Sequence, residues 1–191
     1  MRRGLVLLMA ASALVAACGP AGSARLGGAG VTPVPAPAAL SPRAPSTAAL
    51  TTADVGLPVL SAADGVTAAR AANAEPDAAD ALALFDSWGW VSESERRFGA
   101  GSSSVDDLVL LTLTARGAQS AFAFFSEQAG APPLARTACP ASISGLDQCV
   151  LGVAAGRSVV VGRYGTEVFQ MAFRGVDGVR LGALQADRLR A

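Results

Sequence analysis

The chain has 191 residues, about half of them apolar, and its 15 arginines balance 15 acidic residues to a formal charge of zero. Without a large basic field, nucleic acid is not an expected partner. Histidine and lysine are both absent, which removes the commonest general base, the commonest metal ligand and any Schiff-base amine, so neither an enzyme nor a metal or cofactor site is expected.

In chain order, Arg2 and Arg3 come before an uninterrupted run of apolar and small residues, Leu5 to Ala17, which closes as Val15-Ala16-Ala17-Cys18. A basic start, a short apolar run and small residues at the cut are the form of a secretory signal, not of a spanning helix. Ending on a cysteine, the run resembles the lipobox of bacterial lipoproteins. That resemblance implies a signal peptide over 1–17 and lipidation (palmitate or a similar acyl chain) at Cys18 as the first mature residue. It also implies anchoring to the extracytoplasmic face of the cell membrane. The alternative is an ordinary signal cut after Gly22-Ser23-Ala24, which would discard Cys18. Cysteine arithmetic favours lipidation: three cysteines would leave an odd thiol in an exported protein. With Cys18 acylated, Cys139 and Cys149 remain as a pair, in a compartment where a disulfide persists.

Residues 18–48 form the next unit, rich in Pro, Ala and Gly, with six prolines from Pro20 to Pro45 and no apolar periodicity. Such a segment cannot bury enough surface to offset its ordering entropy, so it is expected to be a disordered tether. Fully extended it would reach about 90 Å, and as a random coil nearer 30 Å. A proline-rich docking ligand is the alternative.

Residues 49–191 are expected to be one domain. Leu50, Val55, Leu57, Val59 and Leu60 suit a short arm packed on it, with Thr52 and Asp54 at a turn and Asp64-Gly65 as a further turn signal. A helix is predicted to start near Glu75-Pro76 and carry Ala78, Leu82, Phe85 and Trp88 on one face. Trp90 to Phe98 reads as a strand, and Val105 to Thr114, apolar at both parities, as a central strand. Gly117 to Gln128 reads as a helix with a stripe of Ala118, Ala121, Phe122 and Phe125. Gln148–Ala154, Ser158–Arg163 and Thr166–Arg174 read as a three-strand meander, with Phe169, Met171 and Phe173 on the core side. Asp177 is expected to cap a closing helix of 178–190 with Val179, Ala183 and Ala186 on one face.

This order predicts an α+β fold, an antiparallel sheet of about five strands with two or three helices packed on one face. Lipobox, tether and small domain together are similar to envelope lipoproteins of high-GC bacteria. The layout resembles Mog1/PsbP-like lipoproteins, with no motif residue to carry over.

Candidate sites are few. Cys139 and Cys149, with nine residues between them, have neither redox Cys-x-x-Cys spacing nor the partners of a zinc set, so a structural disulfide is expected. Trp88, Trp90 and Tyr164 are candidate ligand or interface residues, with a core role for the two indoles as the plainer reading. Asp106-Asp107 reads as a solvated loop end, because adjacent strand residues point to opposite faces and cannot easily share an ion. Glu93 and Glu95 could face one way as an acid–base pair, but Arg96 and Arg97 beside them favour surface ion pairing. Arg157, Arg163, Arg174, Arg180, Arg188 and Arg190 concentrate positive charge late in the chain. The sequence therefore points to a lipid-anchored, non-catalytic ligand-binding or sensor-like domain. The alternative is an accessory or structural subunit of a cell-envelope complex. Its expected partners are the membrane, through lipid on Cys18, and either a small hydrophobic ligand or an envelope protein.

Overall fold

The computed structural model describes residues 43–191; the signal-like run, Cys18 and most of the expected tether lie outside them. A strap of two single-turn helices, α1 (Pro45–Ala48) and α2 (Thr52–Val55), opens the described chain. A first meander follows: β1 (Val59–Val66), then α3 (Ala68–Ala72) and α4 (Ala78–Ser87), then β2 (Trp90–Ala100) and β3 (Ser103–Thr112). From there α5 (Ala115–Ala129) crosses to a second meander, β4 (Ala135–Ala138), β5 (Gln148–Ala154), β6 (Arg157–Tyr164) and β7 (Glu167–Arg174), and α6 (Gly178–Arg190) closes the chain. The meanders join where β3 pairs with β7. The result is one seven-stranded sheet, ordered β1-β2-β3-β7-β6-β5-β4 and antiparallel at every pairing.

Strand parity fixes the layers. Successive strand residues face opposite ways, and β3, β6 and β7 are apolar at both parities. Val105, Val109, Val160, Phe169 and Met171 face one side, where they pack with Leu50 and Val55 of the strap and Leu181 and Leu189 of α6. Leu110, Val159, Val161 and Val168 face the other, against α4 and α5 through Phe85, Ala118, Ala121, Phe122 and Phe125. Helices thus cover both faces, where the sequence predicted one. The α+β class with an antiparallel sheet holds, but the described residues form seven strands and not about five, and six helices in place of two or three.

The two extra strands are both edges. Burial along β4 is uniformly low, so no alternating pattern marks it. The other, β1, runs through the Asp64-Gly65 dipeptide expected to be a turn. There Ala63 pairs with Glu95 and Val66 with Glu93, so three steps on β1 oppose two on β2, and Gly65 takes the left-handed conformation (φ 64°) that this bulge needs. A bulge and a turn ask for the same residues, which is why the signal misled.

Local chemistry explains the helix ends. Thr114 Oγ1 accepts from Gly117 N at 3.0 Å, and Asp177 Oδ1 accepts from Arg180 N at 3.0 Å, each satisfying an otherwise orphaned first-turn amide. The C-terminal end of α5 presses so close to β5 that a Cβ on Gly152 would lie 1.9 Å from the Ala129 carbonyl oxygen. On α6 the buried stripe is Leu181, Gln185 and Leu189 with Gly178, Gly182 and Ala186; of the expected face, Ala186 lies within it, and Val179 and Ala183 pack half-buried at its margin.

Cys139 and Cys149 are joined as a disulfide, with Cα atoms 5.7 Å apart. It ties the loop after β4 to β5, where both sulfurs pack against the strap and α6 side of the core. Closing a ten-residue loop constrains the unfolded chain by about 2–3 kcal/mol. A C139S/C149S double variant is accordingly expected to lose about that much in urea unfolding. Coincident unfolding curves for the oxidised and reduced protein would refute a stabilising role.

Candidate functional site

Three carboxyl groups set the electrostatics of the domain, and two sit where the sequence did not place them. Counting by twos from Phe98, which faces the strap, β2 turns Ser94 and Arg96 the same way and Glu93, Glu95 and Arg97 toward α4 and α5. Glu93, opposite Leu110 on β3, is only 1% exposed. Burial, reinforced by the neighbouring Glu95 carboxyl, pushes its pKa up to about 10, and Oε1 has no hydrogen-bond partner. Glu93 is therefore a neutral acid across the physiological range. The expected surface pairing does not occur: Arg96 binds Asp64 at 2.7 Å and Arg97 binds Asp106 at 2.8 Å.

Asp107, expected in a solvated loop end, is 2% exposed and faces the strap from the middle of the sheet. The two carboxylates do point opposite ways, as parity requires, with Asp106 turned to Arg97. The strap side, however, is covered and not open to solvent. Burial raises the Asp107 pKa to about 7, opposed by a hydrogen bond from the Leu50 amide and by the charges of Arg96 and Arg188.

These groups clamp the backbone of the strap. Leu50 N donates to Asp107 Oδ2 at 2.8 Å, Gln185 Nε2 to the Ala48 carbonyl at 2.9 Å, and Arg188 Nη1 to the Ala49 carbonyl at 2.7 Å. Arg188 also pairs with Asp54 at 2.6 Å, while Thr51 N closes a capping box onto the same carboxylate. Burial works against the Asp54 charge, yet the Thr51 bonds and Arg188 hold its pKa below the usual range. Ala48, Ala49 and Leu50 are essentially inaccessible, and Arg43 reaches Glu167 at 3.4 Å. The expected tether boundary at residue 48 thus falls inside the fold.

The aromatic candidates divide. Trp88 is 2% exposed and belongs to a cluster with Phe85, Trp90, Phe124 and Phe125 at centroid separations of 4.8–6.5 Å. It is core, not interface. Trp90 is half-buried and donates its indole N–H to the Val66 carbonyl at 3.0 Å, so its polar end is already occupied. Tyr164, at the end of β6, is exposed and outside this cluster. Most of the late arginines are engaged: Arg163 with Asp147 and Gln148, Arg180 with the Asp54 carbonyl, Arg188 with Asp54, and Arg190 with Asp187.

The described residues form two shallow clefts. One, of about 230 Å³, lies between α5 and the β4–β5 edge and is lined by Gln119, Phe122, Ala123, Ser126, Glu127, Arg136 and Gln148. The other, of about 210 Å³, lies at the β5–β6 and β7–α6 turns and includes Arg157 and Arg174. Neither contains Glu93, Glu95, Asp107, Trp88, Trp90 or Tyr164. Among the described residues no cluster of three or more His, Cys, Asp or Glu could hold a metal ion, and no helix is long and apolar enough to cross a membrane. Compared with known proteins, the chain matches no family model and no curated protein.

Proposed function

We propose that this chain is an exported protein, lipid-anchored through Cys18, whose single domain binds rather than catalyses on the extracytoplasmic side of a membrane. The observation that carries the reading is the bonded Cys139–Cys149 pair. It accounts for two of the three cysteines as an oxidising compartment would, and leaves Cys18, at the end of the signal-like run, as the remaining thiol. Support for binding over catalysis comes from the lack of His and Lys and from buried carboxyls that open into neither cleft. Both clefts are smaller than the roughly 300–1,000 Å³ of ordinary ligand pockets, and the one between α5 and the β4–β5 edge is lined mainly by polar residues. The ligand is therefore read as small and polar, in place of the hydrophobic one expected from sequence. The small clefts also favour a second reading, an accessory subunit of an envelope complex, for which cross-linking in intact membranes should return one reproducible partner.

Acyl labelling tests the anchor. The full chain expressed in a bacterium that processes lipoproteins should take up a labelled fatty acid and fractionate with membranes. The C18S variant should lose the label and be recovered in the soluble extracytoplasmic fraction. A mature N-terminus other than Cys18, found by mass spectrometry, would sink the assignment.

A further inference from the structure

We propose that the cleft between α5 and the β4–β5 edge is a binding site for a small zwitterion, an α-amino acid. Positions 119, 122, 123, 126 and 127 recur at the spacing of one helical face, so α5 presents Gln119, Ser126 and Glu127 to the same opening. From the sheet, Arg136 on β4 lies opposite Gly152, its stem passing over Gly130 at the end of α5, and Gln148 projects from β5.

Three features point to a ligand. Ser126 lines the cleft, and its hydroxyl is buried with no hydrogen-bond partner. A buried hydroxyl left unpaired costs free energy that a ligand atom in the cleft would recover. Arg136 and Glu127, of opposite charge, border the same cleft without forming an ion pair with each other or with another described residue, and both are exposed enough to meet a ligand. Gln148 accepts from Arg163 Nε through its amide oxygen at 2.8 Å, which leaves its NH₂ group as a donor.

A carboxylate suits Arg136 and the Gln148 amide, an ammonium group suits Glu127 and the Gln119 carbonyl, and Ser126 can serve either. The cleft, at about 230 Å³, is undersized for a drug-like ligand but roomy enough for an amino acid, and Phe122 and Ala123 give its side chain an apolar wall. One molecule that carries both charges would engage Arg136 and Glu127 at once. This rests on reading the domain as a binding module, and it supplies the ligand class.

The test is calorimetric titration of the full chain in detergent with a panel of small α-amino acids, with acetate and methylammonium as half-ligand controls. At least one amino acid should bind saturably while neither half-ligand does. R136Q and E127Q should each weaken binding about tenfold or more, as loss of a charge-assisted bond implies. S126A should weaken it too. Since Arg136 and Glu127 are exposed and form no ion pair among the described residues, both variants should keep the parent melting temperature. The proposal is overturned if no amino acid binds, if acetate binds as well as the amino acid does, or if R136Q and E127Q bind with parental affinity. With C18S still released from membranes, any of those results removes the ligand class and leaves the anchored domain in place.

Discussion

Melting temperature should fall as pH rises from 5 to 9, the reverse of the trend set by ordinary salt-bridged carboxylates. Folding moves the pKa of Glu93 from 4.5 to about 10 and that of Asp107 from 3.8 to about 7. Between those limits each group binds a proton on folding that the unfolded chain does not hold. The slope of unfolding free energy with pH is then negative, about 1.4 kcal/mol per pH unit for each group. Both groups act from about pH 4.5 to 7, and Glu93 alone above that. Asp54 and Asp64 have the opposite sign. Against its burial, Asp54 is lowered by Thr51 and Arg188, and Asp64 is lowered chiefly by a bond from Ser94 and then by Arg96, so both stabilise above their unfolded pKa and lose that contribution in acid. The optimum should therefore sit near pH 4–5.

Glu93→Gln isolates the larger of the two contributions. It keeps the volume and the neutral form, and removes the cost of ionisation. At pH 8 the variant should be more stable than the parent by on the order of 3 kcal/mol, allowing for water reaching the ionised group, whereas near pH 5 the two should nearly coincide. The buried Trp88 gives a fluorescence readout for both melts. Parallel pH profiles for parent and variant would show that Glu93 does not titrate as its burial requires.

Elements whose apolar residues recur at a clear period were legible in sequence. These are α4, α5, α6, β2, β3 and the β5–β6–β7 meander, and the last three strands and α6 lie within a residue of their expected bounds. The missed elements lack that period. Along β4 no residue is buried, and α3 has only alanines to bury. The candidate site was less legible because burial of a polar residue depends on what covers it. Glu93 and Asp107 lie on correctly assigned strands, and period two gave their faces, but no local signal says that helices and a strap cover both sides of the sheet. Ser126 was equally invisible: it sits in a helix recognised by its phenylalanines, and its missing partner is a property of the fold.

The strap is where that missing information has its largest mechanical consequence. A chain beginning at Thr51 should be severely destabilised relative to one beginning at Arg43. Removing residues 43–50 exposes the apolar surface that Leu50 covers, worth about 2 kcal/mol. It also strips Asp107 and Gln185 of their partners at 2.8 and 2.9 Å and Arg188 of one of its two. Each orphaned buried group costs about 1–3 kcal/mol. Together the loss is on the order of 5 kcal/mol, comparable with the whole stability of a small domain. Leu50→Ala separates the packing part and should cost about 2–3 kcal/mol with the backbone clamp intact. Urea unfolding of the three proteins at one pH decides the matter. If the chain from Thr51 unfolds at the same midpoint as the chain from Arg43, the strap is an ornament on the sheet. If the midpoints separate as expected, the domain begins inside the segment that composition marked as tether.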